Sequence, residues 1–266
     1  MNSKKLKTQL LAAVAMTLVA VIALGSSTFA WFAANKTVTA SSVDISATSD
    51  QPFLQISGEA AGTYSTAATL STGNSATNLK LTTPLNLSDN LIAYKANQAA
   101  EDTVTTTPTA ATKADEVKWG TAYSTKTNEV QGDKVPWDVT NEKTQYVLET
   151  HVYLRTAENT KGYKLKMEVP TVDAGTNSIS EAFRIVAVAE DGSWMMYNKG
   201  TDVVTACANG YLVQDIAQEK NVTKAYNDIT IYVYFDGKDN GAYTDVASDL
   251  SKITSNLVFS CTETAT

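Results

Sequence analysis

The chain has 266 residues and a formal net charge of −7, with 21 lysines and arginines against 28 aspartates and glutamates. This acidic balance argues against nucleic acid and anionic lipid surfaces as partners, because both need clustered Lys and Arg side chains. With one histidine and two cysteines, the chain lacks the residues for a histidine-based zinc site, a Ser-His-Asp set or a Cys-x-x-Cys centre, so neither an enzyme nor a cofactor is expected.

The first 30 residues have the layout of a secretory signal peptide. A basic start, MNSKKLKTQ, is followed by an apolar run over residues 10–24 and by small residues that end in Ala30. An apolar run of this length fits a signal better than a spanning helix, which needs about 20 residues. The sequence therefore predicts a hydrophobic signal helix over 1–30, cleaved between Ala30 and Trp31. In the alternative, the run continues through Trp31 and Phe32 as an uncleaved membrane anchor.

Residues 31–47 would begin the exported chain, and their second half has the alternation of a strand. Val43, Ile45 and Ala47 alternate with Asp44 and Ser46, which indicates one buried face. A strand at a free chain end pairs either within its own sheet or with the open edge of a neighbouring molecule. The pattern is compatible with both arrangements.

A long segment at about 71–144 departs from this alternation. Thr, Ala, Ser and Asn dominate it, and apolar periodicity nearly vanishes around EDTVTTTPTAATKADE. We expect a long, mobile, loop-rich insertion in a sandwich domain that spans 48–266. The insertion contains Trp119, Tyr123 and Trp137, which are expected to pack against the body of the sandwich and pin the insertion to it. In the alternative, these side chains are exposed and stack against glycans.

Period-two alternation dominates the rest of the chain and predicts half-buried strands. The segment 183–189, FRIVAVA, is apolar on both faces, as in a strand covered on both sides. Together these strands predict an all-β fold, a jelly-roll-like β-sandwich. The inward-facing residues are expected to be Leu148, Val152, Leu154, Leu165, Met167, Val169, Ile229, Ile231, Val233, Phe235, Leu257, Phe259 and Cys261, and the outward-facing ones Glu149, His151, Tyr153, Arg155, Lys164, Lys166, Glu168, Thr230, Tyr232, Tyr234 and Asp236.

Short helices are predicted at 211–221, YLVQDIAQEKN, and at 244–253, TDVASDLSKI, where Asp245 is a candidate cap. Cys207 and Cys261, in an oxidising compartment, are candidates for a disulfide; two separate buried thiols are the alternative.

The segment 236–245, DGKDNGAYTD, groups side-chain oxygens that Ca²⁺ can bind. The candidate ligands are Asp236, Asp239, Asn240 and Asp245. Lys238 stands where a ligand belongs in the EF-hand spacing, so an ordinary turn is favoured over a metal site.

Two stretches resemble one known family. The join GSSTFAWFAANKTVTASSVDISA and the end of the chain, ITIYVYFDGKDNGAYTDVASDLSKITSNLVFSCT, are similar to the corresponding parts of the TasA/camelysin family of exported, fibre-forming matrix proteins of Gram-positive bacteria. The resemblance implies a jelly-roll sandwich and head-to-tail assembly in which each subunit lends its N-terminal strand to the next. Camelysin members are labelled metalloproteases, but this activity is not expected for the present chain, because it has a single histidine.

The leading hypothesis is therefore the structural subunit of an extracellular or cell-surface fibre of the biofilm-matrix kind, a homopolymer that assembles by strand donation. Trp31, Phe32, Val43, Ile45 and Ala47 would form the donor strand. A monomeric surface adhesin or glycan-binding module is the alternative. No nucleic-acid partner is expected, and the membrane would be contacted only through an uncleaved signal.

Overall fold

The computed structural model describes residues 37–38, 43–49, 53–71, 79–87, 90–96, 105–111, 116–121, 135–157, 162–174, 178–219, 225–239 and 253–264. The predicted signal peptide, its cleavage point at Ala30 and Trp31, and Phe32, Tyr123, Asn240 and Asp245 all lie outside these residues, as does all but the last residue of the helix predicted at 244–253. The described strands are β1 (Thr37–Val38), β2 (Val43–Ser49), β3 (Leu54–Ser57), β4 (Ala67–Leu70), β5 (Leu79–Lys80), β6 (Thr82–Pro84), β7 (Asn86–Leu87), β8 (Asn90–Leu91), β9 (Tyr94–Lys95), β10 (Thr105–Thr106), β11 (Trp119–Thr121), β12 (Leu148–Thr156), β13 (Tyr163–Met167), β14 (Thr171–Asp173), β15 (Phe183–Ala189), β16 (Trp194–Asn198), β17 (Val203–Ala206), β18 (Asn227–Phe235) and β19 (Ile253–Glu263). A 3-10 helix spans Thr140–Gln145 and a short α-helix spans Ser178–Glu181.

Two sheets form the sandwich. One sheet has six antiparallel strands in the order β17-β16-β15-β18-β12-β3, and the other has the order β13-β19-β2-β4, with β14 also paired to β19. The chain thus folds as the all-β sandwich that the alternation predicted.

The main core lies between the two sheets. It contains the inward-facing residues of both, including Ile45, Leu154, Ile231 and Phe259, all 2% exposed or less. On β12, β13 and β19, buried residues alternate with partly exposed ones as the sequence predicted, because successive side chains of a strand point to opposite faces.

A second core covers part of the outer face of the six-stranded sheet. Its sheet side includes Val186, Val188, Tyr232 and Tyr234, and its other side comes from the insertion, with Trp119 at its centre. The described part of the insertion contains β5, which pairs with β1, three strand pairs of its own, β6 with β11, β7 with β8 and β9 with β10, and the 3-10 helix. It is therefore a third layer of short strand pairs rather than a loop without regular structure.

Thr82 joins the third layer to the sandwich. The Gly237 amide donates to the Thr82 carbonyl at 2.9 Å, and within the layer the Thr82 hydroxyl donates to the Gly120 carbonyl at 2.6 Å. A Cβ atom at position 120 would lie 2.6 Å from Leu85 Cδ2 and 2.9 Å from Pro136 Cβ, so glycine is the residue that allows this close packing.

Three predictions from the pattern are wrong. Thr230, Tyr232 and Tyr234, expected to face outward, are 4%, 1% and 0% exposed, and the third layer covers the two tyrosines. Val169, expected inside, is 47% exposed, because β13 ends at Met167 and Val169 lies in the break before β14 resumes the pairing with β19 at Thr171. The helix predicted at 211–221 is absent from the described residues 211–219.

That last segment instead runs along the sheet edges. The Leu165 amide donates to the Val213 carbonyl at 2.8 Å, and the Thr156 amide donates to the Ala217 carbonyl at 2.9 Å. Backbone pairing with two strands satisfies the polar groups that a helix would otherwise have satisfied internally, so tertiary context overrides the local helical preference.

Candidate functional site

The strand predicted for donation, β2, occupies a central position in the five-stranded sheet. It pairs in parallel with β19 over seven residue pairs, from Val43 opposite Ile253 to Ser49 opposite Phe259. On its other side it pairs antiparallel with β4, from Ile45 opposite Leu70 to Thr48 opposite Ala67. In the described chain, then, residues 43–49 form a strand of their own sandwich, which is the first of the two arrangements that the sequence left open.

The two faces of β2 differ sharply. Ile45 and Ala47 are 2% and 0% exposed in the main core, and Val43 packs against the same core from a half-buried position. On the outer face, the Ser46 hydroxyl donates to Asn256 Oδ1 at 3.1 Å, and Asn256 Nδ2 donates to the Thr48 hydroxyl at 3.3 Å. One amide therefore binds two hydroxyl groups that are two positions apart on β2, which favours one register of the parallel pair.

The remaining strands do not replace β2. In the described part of the chain, β4 has no other strand partner, and β19 does not pair with β4. Removal of β2 would leave a slot with an unpaired strand edge on each side and an exposed apolar floor. We call this region the β2 slot, defined by β19, β4 and the core beneath Ile45 and Ala47.

The aromatic residues of the insertion are placed differently from one another. Trp119 is 0% exposed, and its ring packs edge-on against Tyr232 and Tyr234 at centroid distances of 5.3 and 5.1 Å. Its predicted role of pinning the insertion to the body is confirmed, and its burial rules it out as an exposed stacking platform. Trp137 is half-buried, and Lys95 Nζ lies 4.5 Å from its ring centroid.

The acidic turn at 236–239 binds an arginine of its own chain. Arg184, only 3% exposed, donates from Nη2 to Asp239 Oδ2 at 2.5 Å, and its Nε lies 3.9 Å from Asp236 Oδ2. Burial raises the pKa of Asp236, and the Arg184 guanidinium opposes that rise. Two of the four Ca²⁺ candidates thus face a buried cation, and the described residues contain no group of three or more His, Cys, Asp and Glu side chains placed to hold a metal ion.

The two cysteines lie in different cores. Cys207 is buried in the second core, where its thiol is 3.7 Å from the Tyr211 carbonyl oxygen, whereas Cys261 is buried in the main core between the sheets. They are not joined by a disulfide. The arrangement matches the alternative of two separate buried thiols.

His151 lies on the outer face of β12, as predicted, beside two carboxylates. Its Nδ1 donates to Asp228 Oδ1 at 2.8 Å, and its Nε2 is 3.9 Å from Glu149 Oε1. The hydrogen bond to Asp228 raises the pKa of His151, against the effect of partial burial.

No helix among the described residues is long and apolar enough to cross a membrane.

No protein-family model, curated protein or solved structure matches this chain. The fold and the β2 slot define an all-β sandwich in which β2 is an integral element of one sheet.

Proposed function

We propose that this protein is an exported structural subunit of an extracellular or cell-surface fibre, and that subunits join by exchange of β2. In the exchanged state, β2 of one molecule fills the β2 slot of the next. The resemblance of both chain ends to the TasA/camelysin family and the secretory layout of residues 1–30 support this proposal.

The observation that carries the proposal is the position of β2. It is the first long strand of the described chain, it lies between two strands that lack any other link to each other, and its long pairing with β19 is parallel. A parallel pair cannot be closed by a tight hairpin, so no short turn fixes β2 to β19. The same backbone hydrogen bonds and apolar contacts form whether the strand comes from the same chain or from another one.

The connection to the rest of the chain sets the geometry of exchange. Only residues 50–53 separate the end of β2 from the start of β3, which belongs to the opposite sheet. The five Cα–Cα steps from Ser49 to Leu54 reach about 17 Å when extended, at roughly 3.4 Å per step. Successive subunits would therefore be in close contact. When each molecule donates its strand to one neighbour and accepts a strand from another, the contact is head-to-tail and propagates a filament.

The test is electron microscopy of purified protein that begins at Trp31, with and without an excess of a synthetic peptide of residues 31–49. The peptide should cap β2 slots and shorten or abolish filaments. The same peptide with Ile45→Asp is the matched control, since it places a charge on the buried face and should not cap. Absence of filaments in the untreated protein, or equal filament lengths with both peptides, would count against strand exchange.

A further inference from the structure

The third layer covers only part of the outer face of the six-stranded sheet. Tyr232 and Tyr234 lie beneath it, whereas Tyr153 and Asp228, further along the same face, are only half-buried. Tyr64 and Tyr226 are half-buried in the same region. We call this region the tyrosine surface, defined by Tyr64, Tyr153, Tyr226, His151, Arg155 and Asp228.

The aromatic rings of this surface contact one another. Tyr153 and Tyr226 pack edge to face with centroids 5.3 Å apart and an interplanar angle of 83°. His151 lies nearly parallel to Tyr153 at 6.2 Å. Arg155 extends the cluster, because its guanidinium lies 4.0 Å from the ring centroid of Tyr64. A cluster of partly exposed aromatic rings is typical of an interaction site.

The polar groups of this surface are held in fixed positions. Asp228 accepts a hydrogen bond from His151, and Arg155 donates to Gln55 at 2.8 Å and to Glu219 at 2.7 Å. All of them except Glu219 lie on strands of the six-stranded sheet. Their positions are therefore fixed before a ligand binds, and binding loses little conformational entropy from ordering them.

The charges decide which class of ligand fits. Carboxylates of Asp228, Glu149 and Glu219 alternate with the cations of Arg155 and Lys143. The groove next to Asp228 adds Glu190, Asp191 and Asp215, so the region as a whole is acidic. This field repels polyanions such as nucleic acids and acidic polysaccharides.

We propose that the tyrosine surface binds neutral polysaccharide. A sugar ring has apolar C–H faces that pack on tyrosine rings, and its hydroxyl groups both donate and accept hydrogen bonds. It can therefore bind carboxylate acceptors and guanidinium donors at once, which a purely cationic or anionic ligand cannot. In a fibre subunit, such a surface would attach the protein polymer to polysaccharide outside the cell.

The test uses the exported chain in native gels that contain soluble starch, hydroxyethyl cellulose, glycol chitosan fully N-acetylated to a neutral polymer, or polygalacturonate. At least one neutral polymer should retard the protein. Tyr153→Ala and Tyr226→Ala should each weaken that retardation at least tenfold in apparent affinity. Tyr211→Ala is the matched control, since Tyr211 is half-buried elsewhere, with Lys164 Nζ 5.0 Å from its ring centroid. Thermal melting of each variant shows that it is folded.

Retardation that is lost in the two variants and kept in the control supports the proposal. No retardation by any neutral polymer, retardation by polygalacturonate alone, or equal loss in all three variants would overturn it. Strand exchange involves none of these tyrosines, so the outcome of this experiment does not decide the fibre proposal, and failure of the fibre proposal does not decide polysaccharide binding.

Discussion

The ring of Trp119 packs edge-on against the ring of Tyr232 at a centroid distance of 5.3 Å, across 113 positions of sequence. This contact joins the third layer to the outer face of the six-stranded sheet. It also explains why β18, in which Tyr232 and Tyr234 alternate with the apolar residues of the main core, is buried on both faces.

Trp119→Ala should therefore destabilise the whole protein. Loss of a fully buried aromatic side chain costs about 3–5 kcal/mol, because a cavity remains where the ring packed. Chemical denaturation monitored by circular dichroism measures the change. Trp137→Ala is the control and should cost less than half as much, since Trp137 is half-buried and packs within the insertion itself. Equal costs for the two variants would show that Trp119 does not anchor the layer.

Removal of the Arg184 side-chain charge should be destabilising in a pH-dependent way. Arg184→Met leaves Asp236 and Asp239, whose side chains are 17% and 20% exposed, without their cation. Breaking a fully buried pair costs about 3–5 kcal/mol, and this partial exposure brings the expected cost to the lower end of that range. Burial already raises the pKa of Asp236, and loss of Arg184 should raise it further. The charged carboxylate is the unfavourable form, so the variant should be less destabilised at acidic pH, below the raised pKa of Asp236, than at pH 8, where the carboxylate is ionised. Urea unfolding at an acidic pH and at pH 8 measures the difference. Lys199→Met is the control and should show no such dependence, since Lys199 is a half-buried lysine whose contact is a backbone one, from its amide to the Phe183 carbonyl at 3.2 Å.

His151 should contribute stability mainly at acidic pH. Its pKa is raised from the ordinary value of 6.5 by Asp228, with a smaller contribution from Glu149 and an opposing one from Lys143. The protonated form is the stabilising one. Its contribution is complete below about pH 6 and is lost as the pH rises through the raised pKa of the folded state.

The wild type should therefore exceed His151→Gln in stability by more at pH 5.5 than at pH 9. The difference should stay below about 1 kcal/mol, because the imidazole is 40% exposed and solvent screens the pair. Thermal melts at the two pH values, repeated in high salt, measure it. A larger difference at pH 9 would contradict the assignment.

Sequence patterns predicted the sandwich well wherever one strand face meets the core. The alternations in β12, β13 and β19 follow directly from the period of a strand, and FRIVAVA was correctly expected to be covered on both faces. The burial of Tyr232 was not predictable in this way. Its cover comes from a distant segment, rich in Thr and Ala, that has almost no apolar period of its own.

The candidate site was predictable only in part. Alternation in VDISA correctly assigned Ile45 and Ala47 to a buried face. The parallel pairing with β19 joins two ends of the chain, and no local signal specifies such a partner. The tyrosine surface was missed because Tyr64, Tyr153 and Tyr226 lie far apart in sequence and only the sheet brings them together.

A charge on the inner face of β2 should unfold the subunit. Ile45→Asp places a carboxylate in the main core, where burial without a partner costs several kcal/mol. Asp44→Asn, on the exposed outer face, is the matched control and should change stability by less than about 0.5 kcal/mol. Circular dichroism and sedimentation measure folding and assembly together. A folded Ile45→Asp monomer would show that β2 is not required in the core of its own chain.

The central claim, exchange of β2 between subunits, can be measured with one cysteine pair. Ser46 and Asn256 lie opposite each other and their side chains already form a hydrogen bond, so Ser46→Cys with Asn256→Cys places two thiols side by side in the β2 slot. Lys164→Cys with Thr262→Cys, on the paired strands β13 and β19, is the control whose disulfide stays within one chain in every state. The native cysteines are buried in both cases.

The measurement is a denaturing, non-reducing gel of oxidised filaments. In an exchanged filament, the thiol introduced on β2 of one molecule meets the thiol introduced on β19 of the next. Strand exchange therefore predicts a ladder of covalent oligomers from the Ser46/Asn256 pair and single chains from the Lys164/Thr262 pair. Monomers oxidised before assembly should close within one chain and then fail to polymerise. Filaments of the Ser46/Asn256 variant that yield only closed single chains would contradict the account.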